Sequence, residues 1–357
     1  MPEHVSYDSD GASAASPAGS WMLYGAAGYT GTLIAEHACQ RGHQPLLAGR
    51  SGPAVSALAE RLGLPYRELS LGDTGALSAA LAGVDLVLNT AGPFLHTAAP
   101  LAEACLRAGV HYLDIGNELQ AFRTLYDLDQ RAQQAGVTIM PGVGFGVVAT
   151  NCLARHVSEA VGGADHLEVA SRAAVARAGP GVAASRSENL PFGGWIRRAG
   201  RLEASPLGSG VITITFPDGP CSIMPLPTGD LEAAFQATGA QEVTAYAAVP
   251  GAPSPLTSET KATGPPAFRS FGWARATGRD GATAEAWLQT GESYAFTAAA
   301  AIRAVEETFT RSPRGALSPA AAFGGGFAFT VSGTTRIDAI PAAAAAEQAS
   351  DRGEADG

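Results

Sequence analysis

Short apolar runs alternating with amphipathic stretches predict an α/β fold. The prediction is a Rossmann-type doubly wound parallel sheet, followed by a second, α+β domain with a mostly antiparallel sheet. Three observations carry it. Between Ser20 and about residue 146, six strand-like runs alternate with helical ones. Glycine stops such as Gly63 and Gly109 fall just before a strand is due. Past residue 146 the texture shifts to strands separated by turn signals, Pro217-Asp218-Gly219 and Arg279-Asp280-Gly281 among them.

Taken in order, "WMLYGA" (21–26) reads as a buried strand, and "TGTLIAEHACQRG" (30–42) as a helix with Leu33, Ile34, His37 and Ala38 on one face. "PLLAGR" is the second strand, and "PAVSALAERLG" is a helix stopped by Gly63. "YRELSL" is the third strand, and Asp73 then stands where an N-cap opens "DTGALSAALAG". "VDLVLNTAG", the helix "TAAPLAEACLRAG", the strand "HYLDIG", one helix over "ELQAFRTLYDLDQRAQQAG" and the strand "VTIMPGV" complete the first domain. After a further helix, "VVATNCLARHVSEAVG", the alternating runs begin, and "SFGWARATGRDG" with "AEAWLQTGES" forms a hairpin. "YAFTAAAAIRAVEETF" (294–309) is a long helix expected to pack back on the first domain.

The expected organisation is a disordered leader at 1–19, a dinucleotide-binding domain at 20–146 and an α+β substrate and dimerisation domain at 147–293. A returning segment at 294–338 and a disordered tail at 339–357 follow. The leader and tail are polar and rich in Ala, Gly and Ser, without the basic segment and apolar run of a signal peptide. The two long uncharged runs, 136–154 and 315–333, are broken by glycines and a proline and read as pairs of elements, not spans. A soluble cytoplasmic protein is expected, with no membrane partner.

The chain has 357 residues, 46% hydrophobic and 16% charged, a globular balance. A net charge of −10 argues against nucleic acid as a partner. The four cysteines lie far apart without CxxC spacing, and the seven histidines lack HxxxH or HExxH, so no metal site is expected.

Chemistry enters with "GAAGYTG". Gly25, Gly28 and Gly31 follow a strand and open a helix, the place of a dinucleotide-binding turn. Gly25 allows the tight turn, Gly28 lets backbone approach a pyrophosphate, and Gly31 lets the helix pack close. Ala27, Tyr29 and Thr30 complete the loop, and the first helical turn offers free N–H groups to phosphate. The second strand ends on "AGRS". An acid there would hold a ribose 2′-hydroxyl, but Arg50 and Ser51 stand there with no acid nearby. A guanidinium pairs with phosphate, so the expected cofactor is NADP(H). Asp73 is placed to meet the adenine amino group, a role a plain N-cap would mimic. Asn89, Thr90, Ala91, Gly92 and Pro93 close the fourth strand and should line the nicotinamide ribose.

"GAAGYTG", "LAGRS", "NTAGPF", "ACLRAGVHYLDIGNE" and "MPGVGFGVVATNCLA", in this order, resemble the saccharopine dehydrogenase-like family over about the first 155 residues. The family pattern runs GATGYTG, AGR, N-x-AGP, C-x3-G-x-HYxDxxGE and GFxxxPSD. The resemblance implies NADP(H)-dependent hydride transfer, either to an imine, as in amino-acid dehydrogenases, or to a C=C bond, as in trans-acting enoyl reductases. Two departures stand out. The Gly–Glu ending becomes Gly116-Asn117-Glu118, and both acids of the last segment are lost, to Gly146 and Asn151. A changed substrate would follow.

Hydride transfer also needs a proton donor. The Tyr-x-x-x-Lys device is excluded, because the only lysine is Lys261 and Thr257 precedes it by four residues. Catalytic candidates are Tyr294, Asp114 and His96, with Tyr29 and Tyr112 as packing aromatics and Glu118 and Arg186 as substrate-binding groups. The reading is an NADPH-dependent reductase of a small-molecule substrate, expected as a homodimer. The Ala-, Gly- and Arg-rich composition resembles proteins of high-GC bacteria and suits secondary metabolism. A non-catalytic NADP(H) sensor or scaffold, or a redox-neutral enzyme that uses bound cofactor transiently, are the alternatives.

Overall fold

A computed structural model describes residues 19–175, 179–248 and 268–340. The expected leader, Lys261 and the tail from residue 341 lie outside the described residues.

The first domain is a seven-stranded, wholly parallel sheet in the order β15-β6-β5-β4-β1-β2-β3. Its strands are β1 (Trp21–Tyr24), β2 (Leu46–Gly49), β3 (Tyr66–Glu68), β4 (Leu86–Asn89), β5 (His111–Asp114), β6 (Thr138–Met140) and β15 (Gly315–Ala316). Helices α1 (Tyr29–Gln40) and α2 (Gly52–Leu62) pack on one face, through Ile34, Ala38, Val55 and Leu58. Helices α3 (Thr74–Leu81) and α4 (Phe94–Ala108) pack on the other, through Leu77, Leu101 and Cys105. The central strands are apolar on both sides, as a sheet covered on two faces requires. Gly63 and Gly109 end α2 and α4 in left-handed conformations that a side chain would resist.

Two expectations are corrected here. The single helix over 118–136 is two, α5 (Leu119–Tyr126) and α6 (Asp129–Ala135). The break at Asp127-Leu128 lets Leu125, Leu128 and Ala132 all face the core. Helix α4 starts at Phe94, three residues earlier than its apolar pattern suggested, because an acid from elsewhere caps it.

The second sheet has nine strands. Seven lie in the order β10-β11-β12-β7-β13-β14-β16, and β8 pairs with β12 and β9. They are β7 (Ala164–Arg172), β8 (Gly194–Arg198), β9 (Arg201–Ser205), β10 (Ile212–Phe216), β11 (Gly219–Pro225), β12 (Glu242–Ala248), β13 (Ser270–Gly278), β14 (Thr283–Thr290) and β16 (Thr335–Ile337). Only β7 and β12 run parallel to each other. The sheet curls until the Trp287 indole on β14 donates to the Thr215 carbonyl on β10, 3.1 Å away. The curl encloses Phe216, Phe271, Trp273 and Trp287. The segment after residue 294 supplies one strand to each sheet, β15 to the first and β16 to the second.

Helix α7 (Phe145–Ala160) lies between the sheets and is buried nearly all round, so it lacks the polar stripe of a surface helix. It packs on β7, β13 and α9 (Asp230–Thr238), while α10 (Ser293–Arg311) returns to pack on α1. One apolar cluster runs through both domains, from Leu23 and Ile34 through Val148 to Val169 and Leu288. No helix among the described residues is long and apolar enough to cross a membrane, and no group of three or more His, Cys, Asp or Glu among them could hold a metal.

Candidate functional site

The carboxyl ends of β1, β2 and β4 meet at the glycine turn. Gly25 has φ +84°, and a side-chain carbon there would sit 2.7 Å from the Ala91 nitrogen. The turn therefore nests against the Thr90–Ala91 backbone because Gly25 interposes no side chain. A side-chain carbon on Gly31 would come 2.4 Å from the Gly25 carbonyl, so only glycine lets α1 start this close to β1. Gly28 is the N-cap of α1, with no side-chain cap and no acid in the first turn. Ala27, Gly28 and Tyr29 are exposed and Thr30 is half-buried. The result is a bare, electropositive helix end behind a glycine cradle, which fits a pyrophosphate.

Arg50 and Ser51 follow β2 and are both exposed. Ser51 is the N-cap of α2, yet its side chain makes no capping bond. Among the described residues Arg50 makes no hydrogen bond or ion pair, and its charge is felt by the Tyr24 hydroxyl. One expectation is corrected at this end. An acid does stand nearby: Glu68, the last residue of β3, pairs in register with Gly49 and lies against Gly52. It escaped notice because it arrives from the neighbouring strand. Asp73 caps α3, accepting from the Ala76 nitrogen at 2.9 Å, and remains exposed beside this edge.

At the other end the polar groups are engaged. Asn89 is fully buried; its amide donates to the Tyr112 hydroxyl (3.1 Å) and Thr97 Oγ1 (3.3 Å), and its oxygen accepts from the Ala91 nitrogen (3.0 Å). Thr90 donates from backbone and hydroxyl to the Tyr24 carbonyl. These bonds shape the Ala91-Gly92-Pro93 turn so that its backbone, not the Asn89 side chain, faces the cleft.

Three of the expected site residues make defined contacts within the fold. Asp114 is buried, accepting from the Tyr112 hydroxyl and the Gly116 nitrogen, both at 2.8 Å, and from the Gly142 nitrogen at 3.2 Å. Burial pushes its carboxyl up to about 6 against the pull of those bonds. It ties the end of β5 to the loop after β6. Glu118 is likewise buried; its two oxygens accept from Phe94 N (3.0 Å) and Leu95 N (2.5 Å). It caps α4 from a distance. His96, in the first turn of α4, is exposed and pairs with Glu188 at 2.8 Å.

Glu188 lies on α8 (Pro180–Asn189), which leaves the second domain and crosses over the first. Ser185 Oγ stands 3.6 Å from where Gly92 would carry a side chain. Just before α8, the Gly179 nitrogen donates to the Tyr294 hydroxyl at 2.9 Å. Tyr294 opens α10 and meets Tyr29 edge-on, ring centroids 4.9 Å apart. Glycine loop, α8 and α10 therefore converge on one cleft, an arrangement that no local pattern announces. Arg186 belongs to α8, but its side chain lies outside the described residues.

The lost family acids find a structural account. Asn151 donates to the Ala233 carbonyl (2.8 Å) and accepts from the Ala320 nitrogen (2.7 Å), joining α7, α9 and α11 (Pro319–Phe323). An aspartate could only accept. Gly146 leaves room for Asn117, whose amide donates to Asp230 at 2.8 Å.

Residues 21–140 match the saccharopine dehydrogenase NADP binding domain. A trans-acting enoyl reductase of Mycobacterium ulcerans (strain Agy99) is 30% identical over 144 residues, 38% of this chain and 34% of that protein. One of Mycobacterium bovis (strain BCG / Pasteur 1173P2) is 36% identical over 132 residues, 35% of this chain and 32% of that protein. The matched stretch thus spans about a third of the length of these relatives. Apo saccharopine dehydrogenase (L-Glu forming) from Saccharomyces cerevisiae shares the fold, with a TM-score of 0.56 at 13% identity over 88% of this chain and 96% of that one. The first domain of this chain is a saccharopine dehydrogenase-type NADP-binding domain, set in the two-domain fold of saccharopine dehydrogenase.

Proposed function

We propose that the chain is an NADPH-dependent oxidoreductase that reduces a C=C or C=N bond of a small molecule in the cleft between its domains. The observation that carries the proposal is the pairing of a bare glycine cradle with an unpartnered Arg50, in a domain of NADP-binding type. Gly25, Gly28 and the first turn of α1 would hold the pyrophosphate, and Arg50 with Ser51 the 2′-phosphate. The backbone of Thr90–Pro93 would flank the nicotinamide ribose, with Asp73 near the adenine. The names of the enoyl reductase relatives favour C=C over C=N.

When bound, the cofactor supplies the hydride; the chain must supply position, exclusion of water and one proton. Asp114 and His96 are engaged elsewhere, which leaves Tyr294. Its oxygen accepts from Gly179, and among the described residues its own proton has no acceptor. We assign Tyr294 as the donor that protonates the atom of the double bond left electron-rich by hydride addition. Ser185 on α8 would face the substrate. Two copies would pair through the second domain, where Leu207 and Val211 are exposed.

A sensor that binds NADP(H) without turnover is the second reading, favoured by the engagement of Asp114 and Glu118 in backbone bonds. Steady NADPH oxidation with α,β-unsaturated thioesters or cyclic imines separates the two. Turnover that falls ~100-fold in Tyr294→Phe, with NADPH affinity held within ~2-fold, supports the reductase and its donor. No oxidation with any such substrate, alongside tight NADPH binding, supports the sensor.

A further inference from the structure

Glu68 closes β3 one strand away from the end of β2. Its Oε2 would be 2.3 Å from a side-chain carbon on Gly52, so the carboxylate lies against the residue that follows Arg50-Ser51. Gly52 being glycine is what admits it. Glu68 is exposed and, among the described residues, makes no ion pair. The proposed adenosine end therefore carries Arg50 and two acids, the Asp73 cap and Glu68, and among the described residues Arg50 and Glu68 are not within ion-pair distance of each other.

We propose that Glu68 is a specificity-determining residue, an internal anion that opposes a 2′-phosphate at Arg50 and Ser51 and so narrows the preference for NADPH over NADH. This rests on the reading that Arg50 and Ser51 receive the 2′-phosphate. A doubly charged phosphate held at Arg50 and Ser51 would be repelled by the Glu68 carboxylate, whereas the ribose hydroxyl of NADH carries no charge to repel. The acid acts on one cofactor and not on the other. Its effect is opposite in sign to that of Arg50, and the balance of the two sets the ratio of affinities.

The test is Glu68→Gln, which keeps the shape and removes the charge, titrated with NADPH and NADH by cofactor fluorescence at low and high salt. NADPH is expected to bind ~10-fold tighter at low salt and NADH within ~2-fold of the parent, the gain shrinking as salt screens the charge. An unchanged NADPH-to-NADH ratio, or an equal change for both cofactors, overturns the proposal. Arg50→Ala runs in parallel. If it lowers the ratio while Glu68→Gln does not, Glu68 is merely a neighbour of α2. If neither moves the ratio, the placing of the 2′-phosphate fails and the proposal falls with it.

Discussion

The two ends of the cleft are built on opposite principles. At the outer end, among the described residues, the side chains of Arg50, Ser51 and Glu68 are exposed and unpaired, and α1 and α2 begin without side-chain caps. At the inner end Asn89, Asp114 and Glu118 are buried, and each accepts at least one backbone N–H. A buried polar group left without partners is costly, so the inner end had to satisfy itself within the fold. The outer end has water for a partner and can leave its groups free for a ligand. Charge at a strand's carboxyl end is thus left free in one place and used as a bolt in the other, and burial decides which.

The largest effect should come from withdrawing a bolt. Glu118→Ala leaves the first N–H groups of α4 without acceptors and is expected to cost about 3 kcal/mol of stability. Glu118→Gln, which keeps one acceptor, should cost about half as much, both read by denaturant unfolding. Two variants as stable as the parent would mean the inner end is not braced in this way.

Next comes the free cation. Arg50→Ala should weaken NADPH about 100-fold, close to 2.7 kcal/mol, and leave NADH and thermal stability nearly unchanged. Equal losses for both cofactors would make Arg50 a bolt too.

The joint behind the glycine loop offers an intermediate case. Glu306 on α10 pairs with Arg41 at 2.9 Å, Arg303 at 2.7 Å and His43 at 3.1 Å. Burial raises its carboxyl, but the bonds from His43 and Arg41 outweigh that and bring it down from 4.5 to about 2. A carboxyl lowered on folding gives stability that is complete above its ordinary value and lost as pH falls through the folded one. Glu306→Gln should therefore cost about 2 kcal/mol at neutral pH, and the gap to the parent should close as pH falls from 4.5 towards 2. A gap independent of pH would contradict this.

The smallest effect is expected from His96. Its bond to Glu188 is exposed on both sides, so His96→Ala should change stability by about 0.5 kcal/mol or less. A larger loss in a melt would show that this pair holds α8 in place.

The first domain was legible because its central strands β1 and β4 are short buried runs and helices α2, α4 and α6 each end on a glycine. Both are local signals. The glycine turn and Arg50 were legible for the same reason. The roles of Asp114 and Glu118 were not, because a carboxylate that faces a cleft and one that caps a distant helix look alike in a chain. Only the approach of α4 to Glu118, across 23 and 24 residues, separates them. The approach of Glu68 is not a local signal, because it meets Gly49 across a strand pairing that joins residues 19 apart in sequence. The crossing of α8 over Gly92 and the meeting of Tyr29 with Tyr294 depend on how the two domains dock, which no single periodicity encodes.

The central claim is that the outer end of the cleft is made for a 2′-phosphate. Titration of the parent protein with NADPH and NADH, followed by cofactor fluorescence, tests it most directly. NADPH is expected to bind at least ~10-fold more tightly, with the advantage falling as salt is raised. Equal affinities, or tighter binding of NADH, would contradict it.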